Sequence, residues 1–253
     1  MIQLKNQLQL KEMREAGRIT GEALLKARDH IREGISTFEL DKIIRHHIES
    51  QGAKPSFLGY HGFPASACIS INDEVIHGIP SKKRILREGD VVKIDVGAFY
   101  HGFHGDAART IPVGRVSAEA QKLIEVTRNS FFCGIEKMQA GNRIGDIGHA
   151  IDSFVVANGF STVKEYIGHG IGTELHQLPD VPNYGTEGRG TRLLHGMTLA
   201  IEPMVNAGGA AVRQLDDGWT VKTRDGSLSA HYENTVALTS EGLVIMTLID
   251  KDF

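Results

Sequence analysis

The chain repeats itself. Shifted by 107 positions, the sequence meets its own pattern without a gap: Gly34 falls on Gly141, Leu40 on Ile147, Ile44 on Ile151, Ile48 on Val155 and Gly52 on Gly159. Further along, Leu86 falls on Leu193, Gly89 on Gly196, Val92 on Leu199, Ile94 on Ile201 and Asp95 on Glu202. The period is far longer than the ~20–50 residues of a solenoid unit. Two such copies predict one domain over residues 1–253, built from pseudo-symmetric halves at about 12–110 and 119–235, with a site between them.

Local chemistry supports this. Ser36-Thr37-Phe38-Glu39 reads as a capping box, followed by Leu40, Ile43, Ile44, His47 and Ile48 at the spacing of an amphipathic helix. Ile147, Ala150, Ile151, Phe154 and Val155 repeat that spacing in the second half. Each half then has a β-branched strand ending in a carboxylate, Val91–Val96 and Thr198–Ile201. The reading is an α+β domain.

Charge and composition narrow the function. With 28 basic and 31 acidic residues the net charge is −3, so no basic excess holds DNA or an anionic membrane. No apolar run reaches the ~18–20 residues of a membrane span, and the first residues lack the order of a signal peptide. Cys68 and Cys133 cannot form a disulfide framework and read as buried thiols of a reducing cytoplasm. A chain of this length needs no metal merely to fold, so any metal site requires a chemical explanation.

The acids suggest one. A hairpin turning between Tyr100 and His101 would set Asp95 opposite Asp106, with Cβ atoms about 4.5–5.5 Å apart. A turn at Asp217-Gly218 would set Glu202 opposite Glu233. Four carboxylates in one core repel unless cations neutralise them, and two divalent ions supply +4. One added imidazole would make an oxygen-rich site suited to Mn, Fe, Co or Zn. The candidates are His77, His169 and His176, the first two beside glycines that would let the backbone turn and aim the ring. His101 and His104 fall in the expected turn and read as solvated. Spacing alone leaves open whether these acids are ligands or unrelated surface groups. There is no His-Glu-x-x-His helix and no Gly-x-Ser-x-Gly elbow. Gly168-His169-Gly170-Ile171-Gly172 is not followed by a helix-forming run, which excludes a dinucleotide loop.

These segments together resemble the type I methionine aminopeptidases, whose two-fold fold is called pita-bread. The resemblance runs from Glu12-Met13-Arg14-Glu15-Ala16-Gly17 to Tyr232-Glu233-Asn234-Thr235. It is most specific at Tyr60-His61-Gly62-Phe63-Pro64, His77-Gly78-Ile79-Pro80, Phe103-His104-Gly105-Asp106, Gly168-His169-Gly170-Ile171-Gly172 and Ile201-Glu202-Pro203-Met204-Val205-Asn206. It implies an antiparallel sheet flanked by helices and two divalent ions (Co, Mn, Fe(II) or Zn) held by Asp95, Asp106, His169, Glu202 and Glu233, with Asp106 and Glu233 bridging. It further implies Glu202 as general base, His77 and His176 as substrate-contacting histidines, and a methionine pocket at Phe57, Tyr60, Phe63, Cys68, Leu175 and Trp219. A monovalent cation, Na or K, would map onto Asn72, Glu74 and Ser229. The implied activity is removal of the N-terminal methionine from nascent proteins, especially before a small second residue, by a cytoplasmic monomer in contact with the ribosome.

The chain departs from some members. Gln177 stands where an acid is common and His231 where some relatives carry glutamine. Phe57 and Leu175 exchange the small cysteine and large phenylalanine of some members. Two alternatives share the fold. One is a proline-directed (Xaa-Pro) aminopeptidase, which usually carries a further N-terminal domain. The other is a non-catalytic binding protein, which characteristically loses metal ligands.

Overall fold

The structure is a computed structural model that describes residues 2–248. The first half contains helices α1 (Gln7–His30) and α2 (Thr37–Ser50), then strands β1 (Lys54–Pro55), β2 (Ala67–Ile71), β3 (Glu74–Ile76), β4 (Val91–Tyr100) and β5 (Phe103–Pro112). The second contains α3 (Ala118–Ile135) and α4 (Ile144–Ala157), then β6 (Ser161–Thr162), β7 (Gly168–Gly170), β8 (Gln177–Val181) and β9 (Thr198–Ile201). It closes with β10 (Met204–Asn206), β11 (Val212–Gln214), β12 (Val221–Thr223), β13 (Ser229–His231), β14 (Asn234–Thr239) and β15 (Gly242–Ile245). The larger sheets are β1-β4-β2 with β5 on β4, and β15-β14-β9-β7-β8. Every pairing between these strands is antiparallel.

The 107-residue offset recurs in the elements. Helices α2 and α4 begin and end 107 residues apart, as do the first residues of β4 and β9. Ser36 bridges to Ile85 and Arg143 to Arg192. Gly34 N–H reaches Leu86 O at 2.9 Å, and Gly141 N–H reaches Leu193 O at 3.1 Å. Ser36 and Glu39 form the expected capping box. At its counterpart only one arm remains, Arg143 N–H to the Asp146 carboxylate at 2.7 Å, because arginine has no acceptor.

Each half buries its own core. In the first, Ile19, Leu24, Leu40, Ile44 and Ile48 of α1 and α2 pack on Ile69, Val92, Ile94 and Val96. In the second, Leu123, Phe131, Ile147 and Ile151 pack on Leu199, Ile201, Val205 and Val236. Cys68 is buried as expected; Cys133 is only half-buried. Strand β4 runs four residues beyond the expected Val96, to Tyr100.

Candidate metal centre

The β4–β5 hairpin differs from expectation by two register positions. Its turn is His101-Gly102, with φ of 47° and 87°. A two-residue turn of this hand requires left-handed backbone at both central positions, which Gly102 adopts freely. Tyr100 therefore pairs with Phe103, Asp106 faces Gly97, and Asp95 faces Ala108. The two acids are diagonal neighbours on one face, so both carboxyls point to the same side of the sheet. His104 is consequently in β5, not in the turn, with Nδ1 2.9 Å from Ser56 Oγ.

The second pair of acids follows the expected register through three short ladders instead of one hairpin. Ile201 pairs with Asn234, Met204 with His231 and Gln214 with Val221. Glu202 and Glu233 stand opposite each other, one place beyond Ile201 and Asn234.

A seam of hydrogen bonds joins the halves. Asp106 N–H donates to Thr235 Oγ1 and Thr235 Oγ1 donates to Asp106 O, both at 2.9 Å. Glu233 N–H reaches Ala108 O at 3.0 Å, and His231 N–H reaches Thr110 Oγ1 at 2.8 Å. This stitching sets the Asp95–Asp106 pair against the Glu202–Glu233 pair.

His169 completes the cluster from β7, where the register slips between His169 and Gly170, a bulge that re-aims a side chain. Its flanking glycines serve close approach, not turning. A Cβ on Gly168 would lie 2.4 Å from Ala200 O, and one on Gly170 would lie 2.2 Å from Leu178 O. The ring's Nδ1 is 2.9 Å from Gly170 O, which fixes the proton there and leaves Nε2 as a lone-pair donor. Nε2 lies 3.5 Å from Glu202 Oε1 and 4.0 Å from Asp106 Oδ2.

Burial and mutual repulsion dominate the electrostatics. Burial pushes Asp95 up to about 7. Asp106, Glu202 and Glu233 are pushed well above the carboxylate range, first by burial and then by one another and Asp95. Burial lowers His169 to about 3, so its imidazole is neutral. Asp95 Oδ1, Asp106 Oδ1 and Glu233 Oε1 are buried without a hydrogen-bond partner. Asp106, His169 and Glu233 offer ligand atoms all within 4.8 Å of one another, and Glu202, His231 and Glu233 do the same. Unpartnered oxygens, crowded negative charge and a neutral imidazole are the donor set that divalent cations satisfy.

The model of metallopeptidase family M24 matches residues 11–240. The chain belongs to metallopeptidase family M24. Among relatives, the methionine aminopeptidase of Clostridium perfringens is 55% identical over 249 residues, covering 98% of this chain and all of that one. The crystal structure of methionine aminopeptidase from Thermotoga maritima matches with a TM-score of 0.96 at 41% identity, over 98% of this chain and 99% of that one. The prolidase of Pyrococcus horikoshii shares the fold at a TM-score of 0.80 and 24% identity, with 98% of this chain covering 64% of it. The pita-bread fold is therefore the fold of this chain, and as an M24 metallopeptidase it binds divalent metal.

In this M24 chain the acids open onto a cavity of ≈ 400 Å³. Phe57, Tyr60, Phe63, Cys68, Leu175 and Trp219 line its apolar side. His77 and His176 also line it. His77 has φ 59°, a strained conformation for a non-glycine residue that clusters at functional sites. Burial lowers His77 to about 4. His176 Nδ1 lies 2.8 Å from Tyr60 Oη, which leaves Nε2 free.

The residues expected to hold a monovalent cation do meet in part: Ser229 N–H donates to Asn72 O at 3.1 Å. The Glu74 carboxylate is instead engaged by Ile71 N–H and Arg84. The Asn72 carbonyl also accepts from Lys93 Nζ at 2.7 Å. Burial pushes that ammonium down to about 7, against the pull of Glu74, Asp73 and Asp90. The donor set does not fit a bound ion.

Sequence reasoning missed three residues here. His61 lines the cavity; its place between Tyr60 and Gly62 was the available signal. His231 stands out in the sequence only as a departure from relatives that carry glutamine. It is buried, its two ring nitrogens lack partners, and Nε2 lies 3.7 Å from Glu202 Oε2 and 4.0 Å from Glu233 Oε2. Lys93 sits in a strand pattern that gave no sign that both sheet faces are covered.

Proposed function

We infer that the chain is a methionyl aminopeptidase, a metal-dependent hydrolase that removes N-terminal methionine from nascent proteins. The observation that carries this is a cluster of buried acids and one neutral imidazole opening onto a slot lined by six apolar or aromatic side chains. Near-full-length identity to methionine aminopeptidases supports it over the Xaa-Pro alternative, for which only the fold is shared. The filled acid and imidazole positions argue against a non-catalytic binder.

Asp95, Asp106, His169, Glu202 and Glu233 would hold two ions of Mn, Co, Fe(II) or Zn, Asp106 and Glu233 serving both. Bound divalent ions supply acidification of a water and polarisation of the scissile carbonyl. The protein supplies the rest. Glu202 lines the cavity beside the acid cluster, where its carboxylate can take a proton from the attacking water and return it to the leaving amine. His176, oriented through Tyr60 Oη, offers Nε2 to the developing oxyanion. His77, held neutral by burial, offers a hydrogen bond near the scissile amide. The free α-amine of the substrate belongs against the acids, which restricts action to an N-terminus. The thioether belongs among Phe57, Tyr60, Phe63, Cys68, Leu175 and Trp219, a small second residue following it outward. Action in the cytoplasm, as a monomer at the ribosome, fits that substrate.

The test compares Met-Ala-Ser with an Ala-Pro peptide. Methionine release that stops on chelation and returns with Mn or Co supports the reading. Preferential cleavage before proline, or unchanged activity in metal-free protein, overturns it.

A further inference from the structure

Lys93 breaks the rule for buried charge. It is the third residue of β4 and is 1% exposed. An ammonium taken out of water is costly unless a partner compensates it. Among the described residues no carboxylate pairs with it. The nearby acids are engaged elsewhere: Asp73 with Lys222 at 2.7 Å, Glu74 with Arg84, and Asp90 with the Asn72 side chain at 2.9 Å. Lys93 Nζ instead donates to two backbone carbonyls, Asn72 O at 2.7 Å and Val91 O at 3.3 Å. Carbonyl oxygens replacing a hydration shell are how proteins hold a bare monovalent cation.

We propose that Lys93 is a built-in replacement for the monovalent ion, so that this chain takes no Na or K at Asn72, Glu74 and Ser229. The Asn72 carbonyl has two lone pairs, and both are used, one by Ser229 N–H at 3.1 Å and one by Lys93. A second cation would lose that ligand and face the ammonium at contact distance. The position explains why a charge is needed there. Asn72 forms the β2–β3 turn in the left-handed region, with φ 55°, and Ser229 opens β13 of the other half. β3 leads directly into His77, and β13 into His231 and Glu233. The ammonium thus ties the turn that leads to His77 to β4, the strand of Asp95, while Ser229 N–H reaches the same carbonyl from the other half.

The experiment uses the full chain loaded with Mn, exchanged into choline chloride and then into NaCl or KCl at equal ionic strength. Melting temperature is followed for the wild type, Lys93→Asn and Lys93→Met, and crystals are soaked in thallium(I) as an anomalous stand-in for K. The wild type should melt alike in all three salts, with no thallium at Asn72 O. Lys93→Asn should melt lower in choline and regain on the order of 5 °C when Na or K is in ~100-fold excess over its dissociation constant, with thallium at Asn72 O. Lys93→Met, which fills the space without charge, should melt lower in every salt. Sodium- or potassium-specific stabilisation of the wild type, or thallium at Asn72 O beside Lys93, would overturn the proposal. So would a Lys93→Asn variant that is stable in choline and indifferent to the ions. If Lys93→Asn does not fold, the wild-type melting and thallium results decide alone.

Discussion

The Thr235 hydroxyl accepts the Asp106 N–H and donates to the Asp106 carbonyl, both at 2.9 Å. One side chain therefore closes a bridge between the two halves where no regular ladder runs. It fixes the backbone of one central acid, Asp106, and itself stands two residues after another, Glu233. Thr235→Val keeps the shape and removes both bonds, leaving a buried N–H and C=O unpaired. The expected cost is about 1–3 kcal/mol for each group left unsatisfied. Metal affinity should fall ~10–100-fold, as for other residues that orient ligands. Denaturation and Mn titration measure the two effects, and an unchanged Mn affinity would show that the bridge does not position the acid.

Metal-free protein should lose stability as pH rises. Asp95 is raised from 3.8 to about 7 in the folded state, so between those values the native chain holds protons that the unfolded chain has released. Stability then falls with increasing pH across roughly pH 4–7, the reverse of a salt-bridged aspartate. The higher shifts of Asp106, Glu202 and Glu233 extend the fall upward. Saturating Mn should flatten the slope. A metal-free melting temperature that climbs from pH 5 to 8 would contradict this picture.

The sequence carried more of the second acid pair than of the first, for a physical reason. Asp217-Gly218 centres the register that places Glu202 against Glu233, and that register persists through ladders interrupted by loops. For Asp95 and Asp106, midpoint counting ignored turn chemistry: a His-Gly turn satisfies the left-handed requirement where Tyr-His does not. The repeat placed helical spacing over residues 147–155, inside α4, and a strand at Thr198–Ile201, the bounds of β9. It could not reveal Lys93, because a lone lysine in a strand ordinarily marks a solvated face. The glycines around His169 were legible as special, but only the packed sheet shows that backbone carbonyls, not a turn, require them.

His77→Ala and His176→Ala should keep the metals and lose most of the rate. His77 Cα sits in a left-handed strand exit and His176 is held by Tyr60, so both rings line the slot while His169 supplies nitrogen to the acids. Loss of an acid–base or oxyanion contact typically costs ~10²–10³-fold in kcat. Bound metal is to be measured with the rate. If metal disappears with either ring, that histidine is a ligand.

Phe57 and Leu175 belong to one apolar cluster and line one cavity. Phe57→Cys should open a void and lower kcat/KM for Met-Ala-Ser by ~1–3 kcal/mol. Leu175→Phe should overfill the slot by a comparable ~1–3 kcal/mol. The double variant should recover much of the loss, since side chains sharing a cavity are not additive. Strict additivity in this cycle would show that the exchange is coincidental.

The central claim is that acids from both halves hold two ions between them. Anomalous diffraction from Mn-loaded crystals tests it most directly. The account predicts two peaks ~3.5–4 Å apart, enclosed by Asp95, Asp106, His169, Glu202 and Glu233, with Asp106 and Glu233 touching both. A single fully occupied peak at saturating Mn, or peaks whose nearest side chains are His77 and His176, would contradict it.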